Sequence, residues 1–404
     1  MHNCRACLSG ELSTIIALGY LPLANAILTE PTHIPEPKFN LEVMLCANCG
    51  LAQLKELIDP ILLFSNYVYF SSNSDAMLAS AATLANRNIS TLPNDPFIIE
   101  IASNDGYLLK NYIKAGIKVL GIDPAENIAK LANANGIPTL CDFFGESLAR
   151  KLILSGKKAD IIHANNVMAH VPDLNGFIKG LKILLQDRGQ AIIEVPYFLD
   201  LVKNLEFDTI YHEHVYYFSV QPLKAAFAKH GLEIINIEKL SLHGGSLRLF
   251  VSHTGQYLVD PIIEQMIRAE EAFGLYELNT FKNFMDQLAI LKTTCVHTLA
   301  DLKEKNAKIA AYGASAKGTT LLNYFGLGKD TIEFVVDRSL TKHDKFTPGT
   351  QLAISHPDRL IDEKISHALL LTWNFSEEII QQQKEFINQG GKFIHPLAYG
   401  KMMP

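Results

Sequence analysis

Phe97-Ile98-Ile99-Glu100-Ile101-Ala102-Ser103-Asn104-Asp105-Gly106-Tyr107 is the stretch that decides the fold. Its first half is almost wholly apolar and β-branched, as in a strand covered on both faces of a parallel sheet. The run then breaks into small and polar residues that suit a tight turn, and 106–115 reads as a helix. A first strand followed directly by a loop and a helix places that loop at the carboxyl edge of an open sheet, where such sheets bind ligands.

The alternation continues downstream. Segments 119–122, 161–164, 191–195 and 232–237 read as further strands, with helical spacing at 125–135, 174–185 and 223–230. The fold class is therefore α/β, a parallel sheet with helices on both faces. A dinucleotide fold would carry G-x-G-x-x-G in the first loop. This loop has one glycine and two carboxylates, Glu100 and Asp105, which would repel a pyrophosphate but suit a ligand with a cationic centre. S-adenosylmethionine (SAM) has a sulfonium and an ammonium. Candidate contacts are Glu100, Ala102, Asn104, Asp105, Gly106 and Tyr107 on the first loop. Asp123 and Pro124 end the second strand, where a carboxylate can accept from ribose hydroxyls. Asp142 and Phe143 stand where a third strand should end, and Asn165 and Asn166 close the fourth.

Working outward, the chain has 404 residues, enough for two or three domains. A net charge of −6 with 48% hydrophobic residues excludes a broad basic surface, and with it a nucleic-acid binder of the usual kind. The first residues lack a signal-peptide pattern, and no apolar run has the roughly 18 residues of a membrane span. The expected location is the cytoplasm. Four of the six cysteines form two C-x-x-C pairs, Cys4/Cys7 and Cys46/Cys49, a spacing that lets two knuckles share one tetrahedral zinc. A closed site of four thiolates implies a structural ion. Cys141 and Cys295 read as packing residues.

Residues 261–306 are helical in period with a break at Gly274, and a second β-α-β pattern starts at 308–312. There Gly313-Ala314-Ser315-Ala316-Lys317-Gly318 joins a strand to a helix, and its N–H groups with Lys317 suit a phosphate. His243-Gly244-Gly245-Ser246-Leu247-Arg248 offers a similar concavity followed by a cation. The densest titratable cluster is Tyr211-His212-Glu213-His214. It is not H-E-x-x-H, so a zinc-protease reading fails. A histidine there can take a proton, with the adjacent carboxylate as a candidate orienter. His170 follows the fourth strand on the same sheet edge.

Taken together, the paired cysteines, Cys49-Gly-Leu-Ala-Gln-Leu54, Glu100–Gly106, Tyr211–His214, His243–Arg248 and Gly313–Gly318 resemble the SAM-dependent NDP-hexose C-3 methyltransferases of deoxysugar pathways, over nearly the whole chain. The resemblance implies a zinc-binding N-terminal domain (1–75), a central Rossmann-like SAM methyltransferase domain (76–255) and a C-terminal Rossmann-like domain (256–404) that helps hold the nucleotide sugar. It further implies a dTDP-linked 4-keto-6-deoxy sugar as substrate. His214 would be the base that removes the C-3 proton, with Tyr211, Glu213 and His170 lining the pocket and a tyrosine, Tyr67 or Tyr69, from the first domain. By the same reading His243, Gly244, Gly245, Ser246 and Arg248, with Gly313, Ser315, Lys317 and Gly318, bind the substrate. The rival readings are an O- or N-methyltransferase, an NAD(P)-dependent oxidoreductase and a non-catalytic zinc scaffold. The oligomeric state is left open.

Overall fold

A computed structural model describes residues 2–64, 71–73, 75–240 and 244–403. Tyr67, Tyr69 and His243 lie outside these residues. Three sheets organise the chain. The first begins with the antiparallel strands β1 (Leu12–Leu21), β2 (Phe39–Cys46) and β3 (Ala52–Leu54). The C-x-x-C knuckles flank this sheet, and Gly50 takes a φ of 78° that only glycine adopts freely. A Cβ on Gly50 would meet the Tyr276 ring at 2.7 Å. Tyr276 donates to Glu270 (2.6 Å), and Glu270 accepts the N–H of Val220 (2.7 Å) at the start of the helix Val220–Lys229. The knuckle is thus wedged against the middle of the chain.

The central sheet contains β4 (Phe97–Ile101), β5 (Lys118–Ile122), β6 (Thr139–Leu140), β7 (Ala159–Asn165) and β8 (Leu185–Pro196), all parallel. The next strand, β9 (Tyr216–Tyr217), leaves this sheet and pairs antiparallel with β3, completing the first one. Strands β10 (Leu232–Leu240) and β11 (Ser246–His253) return as an antiparallel hairpin, giving the order β10-β11-β8-β7-β4-β5-β6. Residues 232–237, read from sequence as one more member of the βα series, are instead half of that hairpin. No helix intervenes between β10 and β11, so only an antiparallel return is open to the chain.

The core lies beneath this sheet, with Phe177, Phe198, Phe207, Phe218 and Phe227 all at most 1% exposed. The helices Ile262–Phe273 and Leu278–Glu304 then lead, across a left-handed Gly274, to the third sheet. That sheet comprises β12 (Ile309–Tyr312), β13 (Val335–Val336), β14 (Ile354–Ser355), β15 (His367–Leu370), β16 (Lys392–His395) and β17 (Lys401–Met403), ordered β14-β13-β12-β15-β16-β17. All its neighbours are parallel except β16–β17. Among the described residues no helix is long and apolar enough to cross a membrane.

Residues 22–36 leave the first sheet and run along the third domain. Leu28 exchanges backbone bonds with Phe346 (2.9 and 2.8 Å). Gln351 accepts from the N–H of Thr32 (3.1 Å) and donates to its carbonyl (3.0 Å), while Gly349 N–H donates to Glu36 (2.8 Å). This segment therefore ties the first sheet to the part of the chain that carries the third.

Candidate active site

The cleft has a volume of about 590 Å³, within the range of ligand pockets. Its first wall is the carboxyl edge of the central sheet: Ala102, Asn104, Tyr107, Asp123, Pro124, Asp142, Phe143, Asn165 and Asn166 all line it. The loop after β4 is wound unusually, with Ala102 (φ 53°), Asn104 (φ 50°) and Gly106 (φ 79°) in the left-handed region. For a non-glycine residue that conformation costs about 1–2 kcal/mol, a strain that clusters at functional sites. Asn166, at the end of β7, shares it (φ 53°). A Cβ on Gly106 would meet Ile137 at 2.1 Å, so this glycine serves the turn from behind.

Asp123 fixes the loop. Its two carboxylate oxygens accept from the N–H groups of Asn104 (3.0 Å) and Ala125 (2.9 Å), leaving only further lone pairs for a ribose. Burial pushes its pKa upward. Glu100 and Asp105 stand behind the lining rather than in it. Glu100 is 1% exposed and its pKa lies well above the ordinary range, first through burial and then through the charges of Asp123, Asp105 and Glu194. Glu100 Oε2, Asp105 Oδ1 and Asn165 Oδ1 are buried without a hydrogen-bond partner. Of the three, Asn165 Oδ1 belongs to the cleft lining, an acceptor without a donor that an ammonium-bearing ligand such as SAM would satisfy.

The second wall carries the titratable cluster. His214 Nδ1 lies 2.8 Å from the carbonyl of Thr209, and Nε2 lies 2.8 Å from the hydroxyl of Tyr211. A carbonyl only accepts, so Nδ1 carries the proton; in the neutral ring Nε2 keeps its lone pair and takes the Tyr211 O–H. The ring of His170 lies edge-on to His214 at 4.8 Å between centroids, and Phe64 closes its other side at 5.7 Å. Burial pushes His170 down to about 4, so it is neutral at pH 7. The cluster is held by backbone bonds on both sides: Val215 N–H donates to Ala169 (2.7 Å), and Leu54 N–H donates to Val215 (2.8 Å).

Glu213 does not orient His214 as expected; the Thr209 carbonyl does. The Glu213 side chain turns to the first domain and accepts from Asn25 Nδ2 at 2.7 Å. It is 3% exposed, and burial pushes its pKa up to about 7. His212 also points away, toward the carbonyl of Phe39 (3.2 Å).

The third wall comes from the C-terminal domain through Ala316, Lys317, Asn374 and Phe375. Among the described lining residues Lys317 is the one lysine or arginine. Its ammonium sits over the Trp373 ring (4.6 Å), and the Trp373 indole donates to Asp208 (2.7 Å). Burial lowers the Lys317 pKa, opposed by Asp208 and Glu206. Burial likewise raises Asp208 to about 6 and Glu206 to about 7.

The rest of that turn does not reach the cleft. Ser315 caps the helix Ala316–Phe325 by accepting from Gly318 N–H, and Cβ atoms on Gly313 and Gly318 would strike Thr372 and Leu371. These glycines permit close packing.

Arg248 requires a correction. Its guanidinium is buried in the sheet, bonded to Glu194 (2.7 Å) and Glu238 (3.2 Å), and cannot serve a phosphate in the cleft. Cβ atoms on Gly244 and Gly245 would meet Glu206 and Asp200, so that concavity faces carboxylates. Ser246 is buried in β11, and among the motif's described residues only Gly245 lines the cleft. Cys141 is exposed, not packed, whereas Cys295 is buried. Sequence reading missed Asn25, Thr209, Glu206 and Asp208; the lone polar Asn25 within an apolar run was the one available signal.

The sulfur atoms of Cys4, Cys7, Cys46 and Cys49 all lie within 4.8 Å of one another, with Cys4–Cys49 and Cys7–Cys46 at 3.6 Å. Four Zn–S bonds of about 2.3 Å in a tetrahedron set sulfurs about 3.8 Å apart, so the cluster fits zinc.

Comparison with known proteins covers each part of the chain. Residues 4–64 match a zinc binding domain, 76–237 a methyltransferase domain and 241–398 the C-methyltransferase C-terminal domain. The C-methyltransferase NovU of Streptomyces niveus is 31% identical over 401 residues, spanning 98% of this chain and 96% of its own. Among solved structures, a Pyrococcus horikoshii protein has a TM-score of 0.38 at 15% identity, covering 49% of this chain and 100% of that one. The magnesium protoporphyrin IX methyltransferase of Synechocystis, with bound S-adenosylhomocysteine, has a TM-score of 0.36 at 16% identity, covering 47% and 89%.

Proposed function

Since the chain belongs to the SAM-dependent C-methyltransferase family, with SAM as cofactor and a structural zinc, we propose that it methylates C-3 of a nucleotide-linked 4-keto-6-deoxy sugar, with His214 as the base. One observation carries this reading: an imidazole whose tautomer is fixed by Thr209, with the Nε2 lone pair on the cleft side that holds Tyr211, facing a pocket shared with the Asn104–Asp123 loop.

A carbon next to a ketone loses its proton readily only when the developing oxyanion is stabilised. In the proposed sequence Nε2 takes the C-3 proton, and the C–H electron pair moves to make the C-4 oxygen an enolate. Tyr211 has to leave Nε2 for this, because the ring has one lone pair there, and the freed hydroxyl donates to the C-4 oxygen as its charge develops. His170, neutral at working pH, adds no charge that would compete for the proton. When bound, SAM would supply an electrophilic methyl group: the new bond at C-3 would form as the methyl–sulfur bond breaks, its electron pair leaving with S-adenosylhomocysteine and the C-4 ketone re-forming. Holding both ligands in one cleft makes that meeting effectively unimolecular. The nucleotide end is assigned to the third wall, with Lys317 beside the diphosphate.

The test is a panel of 4-keto-6-deoxy sugar nucleotides incubated in D2O with and without SAM, read by NMR and mass spectrometry. Deuterium should enter C-3, and one methyl resistant to O-demethylation should be gained. Replacing His214 by Asn should slow both by about 10²–10⁴-fold. An unchanged rate removes His214 from the chemistry. Deuterium at C-5, the other carbon beside the ketone, moves the site of methylation.

A further inference from the structure

We propose that Asn25, carried into the cleft by the zinc-binding domain, binds oxygens of the acceptor sugar through an amide that Glu213 orients. The inference rests on the keto-sugar reading above and adds a specificity residue to it.

Asn25 lines the same cleft as His214 and Tyr211 although it lies 188 residues before Glu213. It sits at the start of the segment 22–36, whose later residues are bonded to the third domain at Phe346, Gln351 and Gly349. At its other end the segment continues from β1, so the amide is held from both sides, as a pre-organised binding group requires.

Its orientation follows from its partner. The Asn25 nitrogen donates to Glu213 Oε1 at 2.7 Å, an oxygen that accepts in the carboxylate and, with the proton on the other oxygen, in the neutral carboxyl as well. One N–H and the carbonyl Oδ1 are then left for the cleft. A ketone flanked by a hydroxyl presents the complementary set, an acceptor beside a donor. The Glu213 carboxylate is buried and so holds a fixed position, and it turns a side chain that otherwise rotates freely into one with a defined donor and acceptor face.

The test uses the full zinc-loaded protein with dTDP-4-keto-6-deoxyglucose and SAM. Asn25→Ala should raise the sugar KM about tenfold or more, lower kcat less, and leave S-adenosylhomocysteine affinity within twofold. The exchanged pair Asn25→Asp with Glu213→Gln separates binding from propping. It restores one amide-to-carboxylate bond with the roles reversed, but position 25 has lost its N–H. If Asn25 binds the sugar, KM stays raised in a protein of wild-type melting temperature; recovery of wild-type KM reduces Asn25 to a prop and overturns the proposal. The exchanged pair decides the matter even if Asn25→Ala fails to fold. An unchanged KM in both variants also overturns it. A wild-type protein that neither exchanges nor methylates the sugar defeats the keto-sugar reading, and this inference with it.

Discussion

Replacing Arg248 by Met separates two roles that its sequence context suggests, binding a phosphate and holding a sheet together. In the structure its side chain is 9% exposed and that of Glu194 is 5% exposed, at 2.7 Å from each other; Glu238, 33% exposed, has a second partner in Arg87 at 2.6 Å. Removing one member of a buried pair costs about 3–5 kcal/mol, because the other charge is left stranded. At about 2–4 °C per kcal/mol for a domain of this size, the melting temperature should fall by roughly 6–20 °C. The deficit should depend on pH. Burial, opposed by the attraction of Arg248, already holds the Glu194 pKa above its unfolded value. A raised carboxyl contributes stability below its unfolded pKa and loses it as pH rises through the folded one. Without the arginine that folded value rises further, so the variant should suffer more at pH 8 than at pH 5. Scanning calorimetry at both values is the assay. The double variant Arg248→Met with Glu194→Met should recover most of the loss, since an apolar pair of similar volume replaces the buried ions. A melting temperature unchanged at both pH values, with a weakened sugar-nucleotide KM, would refute the argument and return Arg248 to the substrate.

Chelating the zinc, or replacing Cys46 by Ser, should lower the melting temperature and loosen the knuckle wedged on Tyr276; metal analysis should find one zinc per folded chain in the wild type. Gly106→Ala should weaken S-adenosylhomocysteine binding about tenfold by calorimetry, since a Cβ there meets both a left-handed φ and Ile137. Glu213, raised by burial to about 7, contributes stability that is complete below its unfolded pKa and lost as pH rises through about 7. Glu213→Gln should therefore flatten the decline in melting temperature between pH 5 and 8, and an identical slope would contradict that account.

Much of the central sheet was legible because buried parallel strands are continuous apolar runs, and 97–102 is one. Strand β9 was not, since two residues carry no period and only the neighbouring β3 defines them. The cysteine pairs were readable because tetrahedral ligation demands their spacing. In the site, His214, Tyr211 and His170 stood out as titratable groups near a sheet edge, but the partner that orients His214 is a backbone carbonyl, which any residue at 209 would supply. Arg248 misled for a related reason. Gly-Gly-Ser-Leu-Arg describes a phosphate turn and a strand entrance equally well, and only the register against Glu194 on β8 distinguishes them. Cys141 lies at the end of a two-residue strand, too short for its apolar neighbours to indicate burial.

Because β9 belongs to the middle of the chain by order and to the first sheet by pairing, exchanging N-terminal modules between relatives is not a matter of choosing a splice point near residue 75. A chimera joined there would ask one parent's β3 to accept the other parent's Tyr216–Tyr217, two residues downstream of the imidazole at 214. Any mismatch in that seam would be transmitted to the His214 ring, so recombination should succeed only when the partner strand travels with the module it completes.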